Sequence, residues 1–168
     1  MGLVCSVRCP GSVVIKTFDA VKELRDQEIV MAGGFHSPME KECLDILLGG
    51  KQPVILCPAK SLRNLRIGQK ARQALKEGRL LIISPFAETI RRTTSQQAIQ
   101  RNDLVAALSD SLLVPYASPG GKTWTTVHKA LSWGQPIFTF LDGHNAELFN
   151  AGAQKFANNA REIQEKKR

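Results

Sequence analysis

The stretch Arg101–Thr126, RNDLVAALSDSLLVPYASPGGKTWTT, reads as a helix, a buried strand, a glycine turn and the start of a second helix. Leu104, Val105, Ala107 and Leu108 keep helical spacing, whereas Leu112, Leu113 and Val114 form a short continuous apolar run. Pro119-Gly120-Gly121 breaks that strand, and Thr123, Thr125 and Thr126 supply hydroxyls suited to capping the next helix. A glycine turn between strand and helix directs backbone N–H groups at an anion, at the positive end of a helix dipole. Ser118, Gly120, Gly121, Lys122 and Thr123 are therefore candidate phosphate ligands.

Outward from this unit the alternation of strand and helix repeats. Toward the N-terminus, Gly2–Val7 reads as a first strand, and Val13–Ile15 continues or re-enters the sheet. Asp19–Asp26 reads as a short amphipathic helix, Glu28–Ala32 as the next strand, and Gly33-Gly34-Phe35-His36 as a second glycine turn. Ser37-Pro38-Met39-Glu40 is a helix start: a serine N-cap, proline at the first position and glutamate placed to close a capping box. That helix runs to Leu48 and stops at Gly49-Gly50, before a third strand at Pro53–Cys57. Ile67–Glu77 reads as a basic helix and Leu80–Ser84 as a fourth strand. A loop at Pro85–Arg92 leads to Thr94-Ser95-Gln96-Gln97, a second capping box that opens a helix running to Ser109. Beyond the opening stretch, the helix ends at Trp133-Gly134, Ile137–Leu141 reads as a sixth strand, and Asn145 caps a short helix.

Continuously apolar strands alternating with helices predict an α/β, doubly wound, mainly parallel sheet of Rossmann-like type, in three layers. We expect a single domain over residues 1–150 and a basic tail over 151–168, helical from Ala157 to Arg168. In such folds ligands bind beyond the C-terminal ends of the strands, where strand order reverses. Three loops fall there: Ser6–Gly11, Gly33–Ser37 and Tyr116–Thr125.

Composition narrows the classes. The 168 residues are 43% hydrophobic and 23% charged, as in a globular chain, and no apolar run approaches the roughly 18 residues that cross a bilayer. MGLVCSVRCPG lacks the basic and long apolar regions of a signal peptide, so a cytoplasmic location without membrane contact is expected. Cys5 and Cys9 have a spacing that a metal accepts, but no second Cys or His pair follows at zinc-finger distance. With Cys43 and Cys57 inside apolar patterns, the four thiols read as reduced and mostly buried, with no metal and no cofactor expected. The net charge of +8 is concentrated: ten of the 23 basic residues, but only two of the 15 acids, lie between Lys60 and Arg101. A phosphate-rich partner would suit such a segment; a solvated helix face is the plainer alternative.

Neither glycine turn is a standard nucleotide fingerprint. A P-loop requires glycine six positions before the lysine of Gly-Lys-Thr, and that position is Tyr116. The first turn, Ser6-Val7-Arg8-Cys9-Pro10-Gly11, lacks the spacing of a dinucleotide site. Gln100–Ser109 resembles the RNRIIAGLS helix of the DNA-processing protein A (DprA, or Smf) family. That family lies in the wider SLOG group, which includes the lysine decarboxylase-like phosphoribohydrolases. Leu112–Ala117 with Gly120–Thr126 resembles the family's next strand, small-residue turn and helix, and Gly134-Gln135-Pro136-Ile137-Phe138 its following strand entry. More loosely, Cys5-Ser6-Val7-Arg8 stands where the family has a G-S-R turn, and Gly33–Ser37 where it has S-G-x-A-x-G-I-D.

In that family these loops line a pocket for single-stranded DNA. The resemblance implies a phosphate-binding cleft formed by Ser6, Arg8, Gly33, Gly34, Arg101, Asn102, Gly121 and Lys122. His36 and Ser37 join the candidates as phosphate donors or helix-capping groups. Arg101 suits a bidentate phosphate contact or an interhelical brace, and Trp124 suits base stacking or packing under its helix, as Trp133 does. The phosphoribohydrolase branch has P-G-G-x-G-T followed by acids, whereas Thr125-Thr126-Val127 stand here, which argues against hydrolysis by that mechanism. The expected function is binding of single-stranded DNA or a nucleotide phosphate, with no catalytic residue assigned. A nucleotide-processing enzyme and a nucleotide-sensing module, with a homodimer as a further option, are the alternatives.

Overall fold

A computed structural model describes residues 1–156 of the chain. The elements alternate: β1 (Gly2–Leu3), α1 (Gly11–Arg25), β2 (Met31–Gly33), α2 (Pro38–Leu48), β3 (Val54–Leu56), α3 (Gln69–Lys76) and β4 (Leu80–Ile82). They continue as α4 (Ser95–Ala107), β5 (Leu112–Leu113), α5 (Lys122–Ser132), β6 (Ile137–Thr139), α6 (Ala146–Asn150) and β7 (Gln154–Lys155). The strands form one sheet in the order β4-β3-β2-β1-β5-β6-β7, every pair parallel. The fold is therefore the expected Rossmann-like α/β arrangement.

The three layers follow from the pleat, which sends successive side chains to opposite faces. Leu3, Leu113 and Phe138 join one buried cluster with Val13, Val21 and Leu24 of α1 and Cys43 and Leu47 of α2. Val4, Leu112, Val114 and Ile137 join the other, with Val105 and Ala106 of α4 and Val127 and Ala130 of α5. Both faces of the central strands are covered, which explains their unbroken apolar reading.

Strand order reverses between β1 and β5. Here β1 has β2 on one side and β5 on the other, with Gly2 opposite both Ala32 and Leu112. Beyond the short ladder, Val4 N donates to Leu113 O (3.2 Å) and Ser6 N to Tyr116 O (2.9 Å), so the two strands stay together as far as the loops.

The expected elements differ from the observed ones in four places. Val13–Ile15 is not strand: α1 starts at Gly11, and Val13, Thr17, Ala20, Val21 and Leu24 form its buried face at helical spacing. Thr17, fully buried, hides that period in the sequence and satisfies its hydroxyl by donating to Val13 O at 2.7 Å. The threonines after the glycine turn do not cap α5, whose N-cap is Gly121; Thr125 and Thr126 donate back to the carbonyls of Gly121 and Lys122. Asn145 does not cap α6 through its side chain; its Nδ2 donates to Pro115 O (2.9 Å) and Phe140 O (3.1 Å), tying the ends of β5 and β6 together. Gln154–Lys155, expected only as part of the basic tail, pairs with β6 as an edge strand. The helical reading of Ala157–Arg168 lies outside the described residues.

Candidate functional site

A cleft of about 610 Å³ opens at the C-terminal edge of the sheet, over the reversal between β1 and β5. Four segments wall it: Cys5–Arg8 after β1, His36 and Glu40 at the start of α2, Thr93–Ser95 with Ala98, Arg101 and Asn102 of α4, and Ser118 with Gly121–Thr123 after β5. Parallel topology makes this inevitable, because each helix that follows a strand begins at this edge.

Arg101 forms the cleft's most buried cation, only 5% exposed. Its Nε donates to Asn102 Oδ1 at 2.8 Å and its Nη1 to Cys57 O at 3.4 Å. Burial pulls the guanidinium's pKa down from its ordinary value, partly offset by the nearby Glu40 carboxylate. Arginine remains charged even so. The side chain occupies the space over Gly34, where a Cβ would overlap the guanidinium.

The helix entrances facing the cleft differ. At α2 a full capping box is present: Glu40 N donates to Ser37 Oγ (3.2 Å), and the Glu40 carboxylate accepts from Ser37 N (3.0 Å) and His36 N (3.2 Å). At α4, Thr94 and Gln97 close the equivalent box. At α5, the N-cap Gly121 offers no side-chain acceptor, so the first-turn N–H groups lack the partner a capping residue provides. Exposed Lys122 sits at this open end. Ser118 N donates to Ser6 Oγ at 3.0 Å, which fastens the β5 loop to the β1 loop.

Of the expected ligands, Ser6, Arg8, His36, Arg101, Asn102, Ser118, Gly121, Lys122 and Thr123 line this cleft together. Gly33, Gly34, Ser37 and Gly120 do not. Gly33 is packed under the Phe35 ring and Gly34 under Arg101, Ser37 is consumed by its capping box, and Gly120 is an exposed turn residue at φ +72°. Cys5, Val7, Glu40, Thr93, Thr94, Ser95 and Ala98 were not anticipated as lining residues. In the sequence Glu40 and Thr94 read only as caps, yet a cap on a helix that begins at the sheet's C-terminal edge also faces the site.

Three members of the basic segment are engaged by the protein itself. Arg101 is buried, Arg63 pairs with Glu88 (3.1 Å), and Arg79 pairs with Glu77 (2.6 Å). Exposed Arg91 and Arg92 directly precede the cleft residue Thr93. Trp124 packs edge-on against His128 at 4.9 Å, whereas Trp133, expected under its helix, is half exposed with Lys129 Nζ 5.5 Å from its ring. Among the described residues no group of three or more potential metal ligands occurs, and no helix is long and apolar enough to cross a membrane.

The family model for DNA recombination-mediator protein A matches residues 12–168. No curated protein sequence matches. Among solved structures, DNA processing protein A (DprA) of Streptococcus pneumoniae superimposes with a TM-score of 0.74 at 18% identity, over 98% of this chain and 60% of that one. DNA processing protein A of Helicobacter pylori, whose structure is described for its single-stranded DNA binding mode, gives 0.73 at 20% identity, covering 98% and 78%. The molybdenum cofactor binding protein of Rippkaea orientalis gives 0.68 at 13% identity, covering 98% and 94%. These likenesses describe the fold, and the chain spans about 60% of the length of the Streptococcus structure.

Proposed function

Because the chain belongs to the family of DNA recombination-mediator protein A, we propose that its switch-point cleft binds the phosphate backbone of single-stranded DNA. The observation that carries this reading is the buried Arg101 guanidinium in a cleft onto which the uncapped start of α5 opens. A desolvated guanidinium and free first-turn N–H groups together suit one phosphate: the guanidinium presents two parallel donors, and the helix end adds a partial positive charge. Exposed Arg8 and Lys122 supply counterion release at the rim, and the Ser6 and Ser118 loops set its width.

The test is fluorescence anisotropy of a labelled single-stranded oligonucleotide over a salt series. Affinity is expected to fall steeply, with a log–log slope of roughly −0.7 for each phosphate neutralised. Absence of binding at low salt overturns the proposal. A second reading, a nucleoside phosphate held without turnover, is favoured by the compact 610 Å³ volume, close to that of a small-ligand pocket. Saturable binding of mononucleotides with no preference for longer strands selects it; release of base or phosphate would select an enzyme instead.

A further inference from the structure

We infer that a DNA strand leaving the cleft continues to one side only, over a basic platform made by the loops after β3 and β4, where Lys60, Arg91 and Arg92 take further phosphates. This rests on the reading of the cleft proposed above and gives the bound strand a direction. The two loops, residues 57–68 and 83–94, hold five basic residues and a single acid, Glu88. Arg63 of the first loop neutralises that acid in the second at 3.1 Å. Among the described residues no carboxylate pairs with Lys60, Arg91 or Arg92. Both arginines are exposed and Lys60 is half-buried.

The platform is one unit because the loops are bonded to each other. Ser61 N donates to Ile90 O (2.8 Å), Ser84 Oγ to Lys60 O (2.7 Å) and Thr93 Oγ1 to Ala59 O (3.3 Å). These bonds set Lys60 beside Arg91 and Arg92, which lie far from it in sequence. Thr93 is also a wall residue of the cleft, as are Thr94 and Ser95, so the free charges begin where the wall ends. With the backbone already tied down, less of the electrostatic gain is lost to ordering when a strand binds.

The opposite exit has the other sign. The loop after β6 carries Asp142, which engages Lys16 at 2.8 Å, and exposed Glu147 follows in the first turn of α6. A phosphodiester chain taking that way meets carboxylates and a cation already occupied. Over β3 and β4 it meets three unpaired cations and an acid already neutralised. Opposite fields at the two exits steer a polyanion toward the second. Long, solvated cations of this kind position a backbone without reading its bases, so the platform adds affinity and not sequence preference.

The test is anisotropy of two labelled single-stranded oligonucleotides, of about four and about sixteen nucleotides, which bracket ordinary single-strand site sizes, over a salt series. The longer strand is expected to give the steeper log–log slope with the parent protein; slope, unlike affinity, is not raised by the extra registers a long strand offers. Arg91→Ala/Arg92→Ala is expected to make the long-strand slope shallower by about 1.4 and to weaken its binding on the order of tenfold at low salt, with the short strand within about twofold of the parent. Lys51→Ala/Lys76→Ala removes two exposed charges at the opposite edge of the sheet and is expected to change neither strand. Four results each overturn the inference while leaving phosphate binding in the cleft intact: equal parent slopes for both lengths, no effect of the arginine pair on the long strand, equal loss on both strands, or an equal effect from the lysine pair. Binding of neither strand by the parent overturns the reading of the cleft, and the platform with it.

Discussion

The turns at Gly33–Gly34 and Gly120–Gly121 invite comparison because they follow β2 and β5, the two strands that flank β1. Both are glycine pairs at the C-terminal edge of the sheet, and both lead into a helix. On the β2 side the glycines exist for the protein's own side chains: a Cβ at Gly33 would meet the Phe35 ring at 2.8 Å, and one at Gly34 would overlap the Arg101 guanidinium. Phe35 itself bends the chain at φ +45°, and the carboxylate of Glu40 then takes the donors at the helix entrance. On the β5 side a Cβ at Gly120 meets nothing within 4 Å, and the α5 entrance carries no side-chain cap. Two turns alike in sequence thus divide one task. The first seats the buried cation, and the second leaves donors open to a ligand.

The largest expected effect breaks the first half of this division. Gly34→Ala displaces the Arg101 guanidinium and is expected to cost about 3 kcal/mol in chemical denaturation, at the upper end for an overpacked site. In an Arg101→Ala background the same substitution is expected to cost much less, because the obstructing group is gone. Equal costs in both backgrounds would show that Gly34 does not serve Arg101.

Arg101→Met separates ligand binding from packing. Its removal relieves the desolvation that depresses the group, so stability is expected to stay within about 1 kcal/mol of the parent. Single-stranded oligonucleotide affinity is expected to fall roughly 20-fold, the worth of one charged hydrogen-bonded contact. Arg101→Lys is expected to fall similarly, since an ammonium cannot reproduce both the Asn102 bond and a forked phosphate contact. Retained binding in both variants would leave the open α5 entrance as the remaining anchor.

Gly120→Ala tests the second turn. With open space around its Cβ, the only cost is the left-handed φ of +72°, about 1 kcal/mol, and oligonucleotide affinity is expected to stay unchanged because Gly120 does not line the cleft. A large loss of binding without loss of stability would return Gly120 to the site.

What the sequence made legible follows from locality. Strand–helix alternation, the Ser37 and Thr94 capping boxes and the Rossmann-like class are local signals, and the structure carries each of them. Nine of the expected ligands meet in one cleft because topology alone brings strand-end loops together. The division between the glycine turns was hidden, since the overlap of Gly34 with Arg101 joins positions 67 residues apart. The concentrated basic charge was legible only in part, because Arg101 is buried and Arg79 and Arg63 pair with Glu77 and Glu88. The first half of α1 is hidden in the sequence because buried Thr17 looks polar until its hydroxyl finds Val13 O.

The smallest expected effect extends the comparison to the entrance of α1. That helix also lacks a side-chain cap at its N-cap, Pro10, and a carboxylate from the loop after β6 binds side chains of its first turns. Asp142 accepts from Ser12 Oγ at 3.0 Å, Lys16 Nζ at 2.8 Å and His144 Nδ1 at 2.8 Å. Lys16 above all, then His144, holds the Asp142 carboxyl far below the usual carboxylate range. A carboxyl depressed in the folded state contributes stability that is present above its unfolded value, about 3.9, and is lost as pH falls from there toward the folded value. Asp142→Asn is therefore expected to melt lower than the parent near neutral pH, by on the order of a few degrees, with the gap closing as the pH drops below about 4. A gap that stays constant through that range would mean that shape, not charge, holds the α1 entrance. The open end of α5 would then be one of two unneutralised entrances at this edge rather than the distinctive one.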